Sequence, residues 1–194
     1  MFSIGIHPNK ISEDWQCQLA EIERLIHEPN CVGAGECGLD KFAGTPRDLQ
    51  EKVFTAQLAL AQRHGKPVII HCVRLYTDVL HILKSVKFTH PAIFHGYNGN
   101  PTVTAQLLKL PNTYYSFSPS FYISAAKSIP LIPLSRILTE TDCDTAADIS
   151  AAIAKIAEIK RVGVGELEKA VYENYKIICS KSASIIKSEP TPPA

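Results

Sequence analysis

The 194-residue chain is 45% hydrophobic and 20% charged, the balance of an ordinary globular domain with one sizeable core, so a second domain is not expected. Twenty basic residues against nineteen acidic ones leave a formal charge of +1, which excludes recruitment of nucleic acid or an anionic membrane by a global field. Any phosphate recognition has to be local.

Along the chain, short apolar β-rich runs alternate with longer stretches of helical period, the pattern of an α/β fold. Strands are predicted over 2–6, 31–36, 67–71, 92–95, 114–117 and 137–141, and helices over 13–27, 49–63, 75–84, 102–110, 147–159 and 165–179. The clearest helix groups Val53, Phe54, Leu58, Leu60 and Ala61 on one side, with Asp48 or Thr45 expected to cap its start. The strand runs show little polar alternation, as in a parallel sheet covered on both faces. Residues 1–180 read as a single domain, and 181–194, ending in SEPTPPA, lack periodicity and are expected to be disordered. The six cysteines form no CxxC pair. No run approaches the roughly 20 apolar residues of a membrane span, and the N-terminus shows no signal-peptide pattern. A reduced, cytoplasmic protein with no membrane partner is expected.

Metal-capable side chains stand where the strand runs stop: Glu36, His71 and His95, with Asp142 just beyond the last run. In parallel α/β folds the carboxyl ends of the strands share one face, so four such residues converge. A single strand-end histidine is more often a hydrogen-bonded structural residue, but four convergent polar groups need a common partner. Two imidazoles with two carboxylates suit Zn²⁺, Mn²⁺ or a similar ion, with Mg²⁺ the less natural choice. Strand alternation turns Cys37 and Cys72 towards the helices as small core residues; Cys143 lies past a strand end and stays open. Lys41, Arg47 and Arg74 stand near strand ends, where they serve either to hold phosphate oxygens or as solvated charges. His7, in GIHP, either holds its turn or contacts substrate, and Glu140 either orients a ligand or reaches substrate.

The segments GAGECGLD around Glu36, PVIIHC at His71, FHGYNGN from His95 and ILTETD ending at Asp142 resemble, in order, the motifs of the TatD-type metal-dependent hydrolases. GIHP and LQEKVFTAQLALAQ resemble the segments that accompany them, and the resemblance extends over residues 2–179. It implies a TIM-type (β/α) barrel, one or two divalent ions (Zn, Mn or Mg), and DNA or another nucleic acid as substrate, cleaved at phosphodiester bonds by metal-activated water. It further implies that Glu36 bridges two ion sites, that His71 and His95 complete one, and that Asp142 belongs to the other. Asp142 and Glu36 are then the catalytic carboxylates, with His7, Lys41, Arg74 and Asn98 as candidate substrate contacts.

The chain also departs from that family pattern. The HxH strand and the strand after it, which precede GIHP in relatives, have no counterpart, so about six of the eight barrel strands are expected and the barrel reads as incomplete at its N-terminus. A truncated start, strands supplied by a partner and a degenerate paralogue are all open. Arg74 stands three residues after His71 where many relatives have an arginine at two, and Asn98 and Asn100 occupy a loop where serine is common. Cys143 and Asp144 follow ETD where many relatives have Ala-Pro. The alternative functions are amide or ester hydrolysis, aminoacyl esters included, and a non-enzymatic remnant.

Overall fold

The six apolar runs become six parallel strands: β1 (Phe2–Ile4), β2 (Cys31–Asp40), β3 (Val68–Val73), β4 (Ala92–Phe94), β5 (Thr113–Phe117) and β6 (Ile137–Thr139). They hydrogen-bond in chain order, 1-2-3-4-5-6. The computed structural model describes residues 1–121, 123–142 and 148–183. Cys143, the first residue of the helix expected from 147, and residues 184–194 of the expected tail lie outside them, whereas 181–183, also expected in that tail, belong to a helix.

Between the strands stand α1 (Trp15–Leu25), α2 (Arg47–Arg63), α3 (Tyr76–Ser85), α4 (Pro101–Leu107) and α5 (Ile123–Ser128), with α6 (Ile149–Lys160) and α7 (Val164–Ala183) after β6. A sequential parallel order with right-handed crossovers lays such helices on one face of the sheet and leaves the other as a concave interior. The burial of β3 follows this division. Val68, Ile70 and Cys72 are buried, while Ile69, His71 and Val73 on the other face are only partly so. The outer layer of the core packs Val53, Phe54, Leu58 and Ala61 of α2 with Cys37, Leu39 and Ile70 of the sheet.

Further expectations are corrected by the structure. Strand β2 does not stop at Glu36 but continues to Asp40, and β3 does not stop at His71 but continues to Val73. The start of α2 is capped by neither Asp48 nor Thr45: Pro46 holds the cap position, Asp48 lies in the first turn, and the Thr45 hydroxyl donates to the Pro8 carbonyl. Helix α5 has no predicted counterpart, because its six residues are too few to show a period.

Helix α2 is tied to the sheet by two buried glutamines. The Gln57 side chain accepts from the Ile6 amide (2.6 Å) and donates to the Ile6 carbonyl (3.1 Å). Gln50 does the same for Asp40, at 2.8 and 3.1 Å, and also donates to the Thr45 carbonyl. Each amide takes the place of a neighbouring strand, satisfying both backbone groups of a residue where the ladder ends. At the other side, α7 packs on β6 and reaches β2, and its buried Asn174 donates to the carbonyls of Leu134 and Ile137.

Candidate metal centre

The centre begins with an irregularity in β2. From Ala34 to Cys37 this strand advances three residues while its partner advances two, from Val68 to Ile70. The extra residue makes a bulge at Gly35 and Glu36, the device that re-aims a side chain out of strict alternation. Two residues on, Gly38 has φ 144°, and a Cβ there would fall on the carbonyl oxygen of His71. Glycine thus lets β2 and β3 close up beside the site. His71 faces the interior by strand parity, His95 follows β4, and Asp142 lies past β6 with a left-handed φ of 53°.

The two half-buried imidazoles are oriented by carboxylates. His71 Nε2 is 3.1 Å from Asp40 Oδ2, and His95 Nδ1 is 3.5 Å from Glu140 Oε1. Ionised carboxylates only accept, so these ring nitrogens carry the protons. The remaining nitrogens, His71 Nδ1 and His95 Nε2, are left with lone pairs, and they face each other at 3.3 Å. Glu36 Oε2 lies 3.4 Å from the same His95 nitrogen. Two close pairs of lone-pair donors result, His71 Nδ1 with His95 Nε2 and His95 Nε2 with Glu36 Oε2, and each pair is favoured by a cation between its members. An ion holding tetrahedral ligands at about 2.1 Å sets them about 3.4 Å apart, in agreement with both separations.

Among the described residues the ligand atoms form two sets, each within 4.8 Å: His7, Glu36 and His71, and Glu36, His95 and Asp142. Glu36 is common to both. Burial by itself would depress the pKa of His95, but Glu140, Glu36 and Asp142 together outweigh it and raise it. Burial would likewise raise Glu140, yet its bonds from His95, Ser116 and the Gly96 amide, which donates at 2.6 Å, hold it below the usual carboxylate range.

His7 differs from the other two histidines. Its Nδ1 accepts from the Asn9 amide at 3.1 Å, so the neutral ring carries its proton on Nε2, which faces Glu36 at 3.9 Å. Burial, and then His71 with its ring centroid 4.3 Å away, lower its pKa. In this tautomer His7 is a donor towards the site, and ligating a metal through Nε2 would cost the bond to Asn9.

Thiolate ligation has no support among the described cysteines of the site. Burial, with a smaller contribution from Glu36, pushes the Cys37 thiol up to about 12, and burial also raises Cys72. Arg74 and Asn98 line a cleft beside the imidazoles. Lys41 is exposed on the loop after β2, and Arg47 is engaged by Glu51 and Asp78. Asp40 is the residue that sequence reasoning passed over. The signal was present in GECGLD, where a carboxylate four residues past Glu36 ends the strand, but with β2 expected to stop at Glu36 it had no assigned place.

Comparison with known proteins gives a consistent result. Residues 1–180 match the family model described as TatD related DNase. The chain is 31% identical over 192 residues to the uncharacterized metal-dependent hydrolase YabD of Bacillus subtilis, covering 90% of this chain and 75% of that protein. It is 35% identical over 146 residues to the 3'-5' ssDNA/RNA exonuclease TatD of Klebsiella pneumoniae, covering 71% of this chain but only 55% of the relative. Its fold is that of YJJV, a TatD homologue from Escherichia coli K12, with a TM-score of 0.81 at 23% identity over 92% of this chain and 76% of that one.

Proposed function

The chain belongs to the TatD related DNase family of metal-dependent hydrolases, and from this premise we propose that it cleaves phosphodiester bonds of single-stranded nucleic acid, with Glu36, His71, His95 and Asp142 holding one or two divalent ions. The observation that carries the reading is the pair of imidazole lone pairs turned towards each other beside Glu36. When bound, the ion supplies a water made acidic enough to lose its proton near neutral pH, together with charge stabilisation on the reacting oxygens.

This chain's own residues do the rest. Glu36, shared by both ligand sets, holds them in register, while Asp40 and Glu140 keep His71 and His95 in the ligating tautomers. Asp142, exposed at the rim, orients the attacking water and takes its proton. His7 Nε2 donates towards Glu36 and an oxygen of the substrate. A single-stranded substrate is supported by the name of the Klebsiella pneumoniae relative.

The test is degradation of end-labelled single-stranded DNA and RNA with Mn²⁺, Mg²⁺ or Zn²⁺, alongside metal analysis of the purified protein. Chelator and Glu36→Gln are each expected to abolish shortening of the strand. Activity unchanged by Glu36→Gln would mark a contaminant, and cleavage of small esters without any cleavage of nucleic acid would defeat the nuclease reading.

A further inference from the structure

The imidazoles line a small cavity of about 250 Å³ with Asp142, and this opens beside a larger cleft of about 870 Å³. The two share Cys72, Val73, Gly96 and Asn98 as walls, so whatever fills the larger one abuts the metal centre. Two large apolar side chains line the larger cleft while facing water: Phe42 is 73% exposed and Ile123 is 78% exposed. Single exposed hydrophobic residues are ordinary. A pair of them lining one cleft beside a polar centre is not.

Both are held on fixed backbone. The Phe42 amide donates to Asp40 Oδ1 at 2.8 Å, and Asp40 is itself clamped by Gln50. Beside Ile123, the Ser124 hydroxyl donates to the Asn98 carbonyl at 3.3 Å, and Ser128 donates to the Gly99 carbonyl at 2.7 Å. Arg74 lines the same cleft from a left-handed backbone (φ 63°), is exposed, and forms no ion pair with a described residue. A rigid aromatic face, a second apolar group and an exposed guanidinium match the parts of one nucleotide. The ring stacks on a base of any identity provided it is unpaired, and the guanidinium takes phosphate oxygens bidentately.

We propose that this cleft is a nucleotide subsite, in which Phe42 stacks on an unpaired base next to the scissile phosphodiester, Ile123 adds a second apolar contact, and Arg74 holds the flanking phosphate. The assignment rests on the nuclease reading of the metal centre and adds to it the residues that grip the strand.

The experiment titrates phosphorothioate-protected oligonucleotides, carrying 2-aminopurine or an abasic residue near the 3′ end, into wild type, Phe42→Ala, Phe42→Trp and Arg74→Ala protein with Mn²⁺ present. Wild type and Phe42→Trp quench the 2-aminopurine, whereas Phe42→Ala binds the base-bearing strand about tenfold more weakly and no longer distinguishes it from the abasic one. Arg74→Ala weakens both strands alike. Equal binding of the two strands by wild type, or an equal loss on both in Phe42→Ala, overturns the subsite. Cleavage of an unmodified strand, scored in parallel, separates the two ideas: cleavage without base discrimination overturns only the subsite, and base-dependent binding without cleavage under any metal overturns only the nuclease reading.

Discussion

Asp40 shows how much one side chain settles in this centre. One oxygen fixes the His71 tautomer and the other holds the Phe42 amide. Substituting asparagine would keep the shape and reverse the chemistry. The amide oxygen can still accept from Phe42, but the NH₂ group then faces His71 Nε2 and drives the ring proton to Nδ1. The lone pair facing His95 is lost. Asp40→Asn is therefore expected to lower affinity for Zn²⁺ or Mn²⁺ by about 10–100-fold, the usual scale for losing a carboxylate behind a ligating histidine. Calorimetric titration of the metal-free protein checks this, and an unchanged affinity would remove Asp40 from the account.

At the scale of elements, the strand count and nearly every helix were legible because short apolar runs and helical period are properties of neighbouring residues. Helix α2, predicted over 49–63 and found over Arg47–Arg63, is the clearest case. The course of β2 was not legible. GAGECGLD is poor in β-formers, and the bulge at Gly35 and Glu36 breaks the alternation on which strand reading depends. Of the candidate site, Glu36, His71, His95 and Asp142 could be named from the ends of their runs. The division implied by the family resemblance, with His71 and His95 in one set and Asp142 in the other, is not the one found: Glu36 is shared as implied, but His71 stands with His7 and His95 with Asp142. The roles of Gln50 and Gln57 were equally hidden, because a polar residue in a helix signals burial only once its partner is known. Gln57→Ala leaves both the amide and the carbonyl of Ile6 without partners, and a destabilisation of about 2–4 kcal/mol is expected from two unsatisfied buried groups. Urea unfolding measures it, and a change under 0.5 kcal/mol would show that water replaces the glutamine.

The stability of the whole molecule should depend on pH through a histidine remote from the metal centre. His64 follows α2, its ring 4.5 Å from that of His27, and its Nε2 is buried with no hydrogen-bond partner among the described residues. Glu23 lies 3.9 Å away, beyond hydrogen-bond reach. Burial first, then His27 and Arg63, lower its pKa from the ordinary 6.5. Because the folded form is the weaker base, the unfolded chain takes up the proton first as pH falls. The contribution of His64 is thus intact above about 6.5 and is lost as pH drops through that value towards the depressed folded one. Urea midpoints at pH 7.5 and 5.5 should differ more in wild type than in His64→Gln, and equal differences would rule the residue out as the source.

The two glutamines of α2 also set a rule of length. A helix turns about 100° per residue, so positions seven apart return almost to the same face. Gln50 and Gln57 stand at that interval, one gripping the end of β2 and the other the residue before His7. The helix between them works as a gauge: a single insertion or deletion there would swing one amide off the sheet and release either Asp40 or Ile6. Any variation in the length of this βα unit must therefore fall outside the seven-residue span, in the 41–46 loop or beyond Gln57.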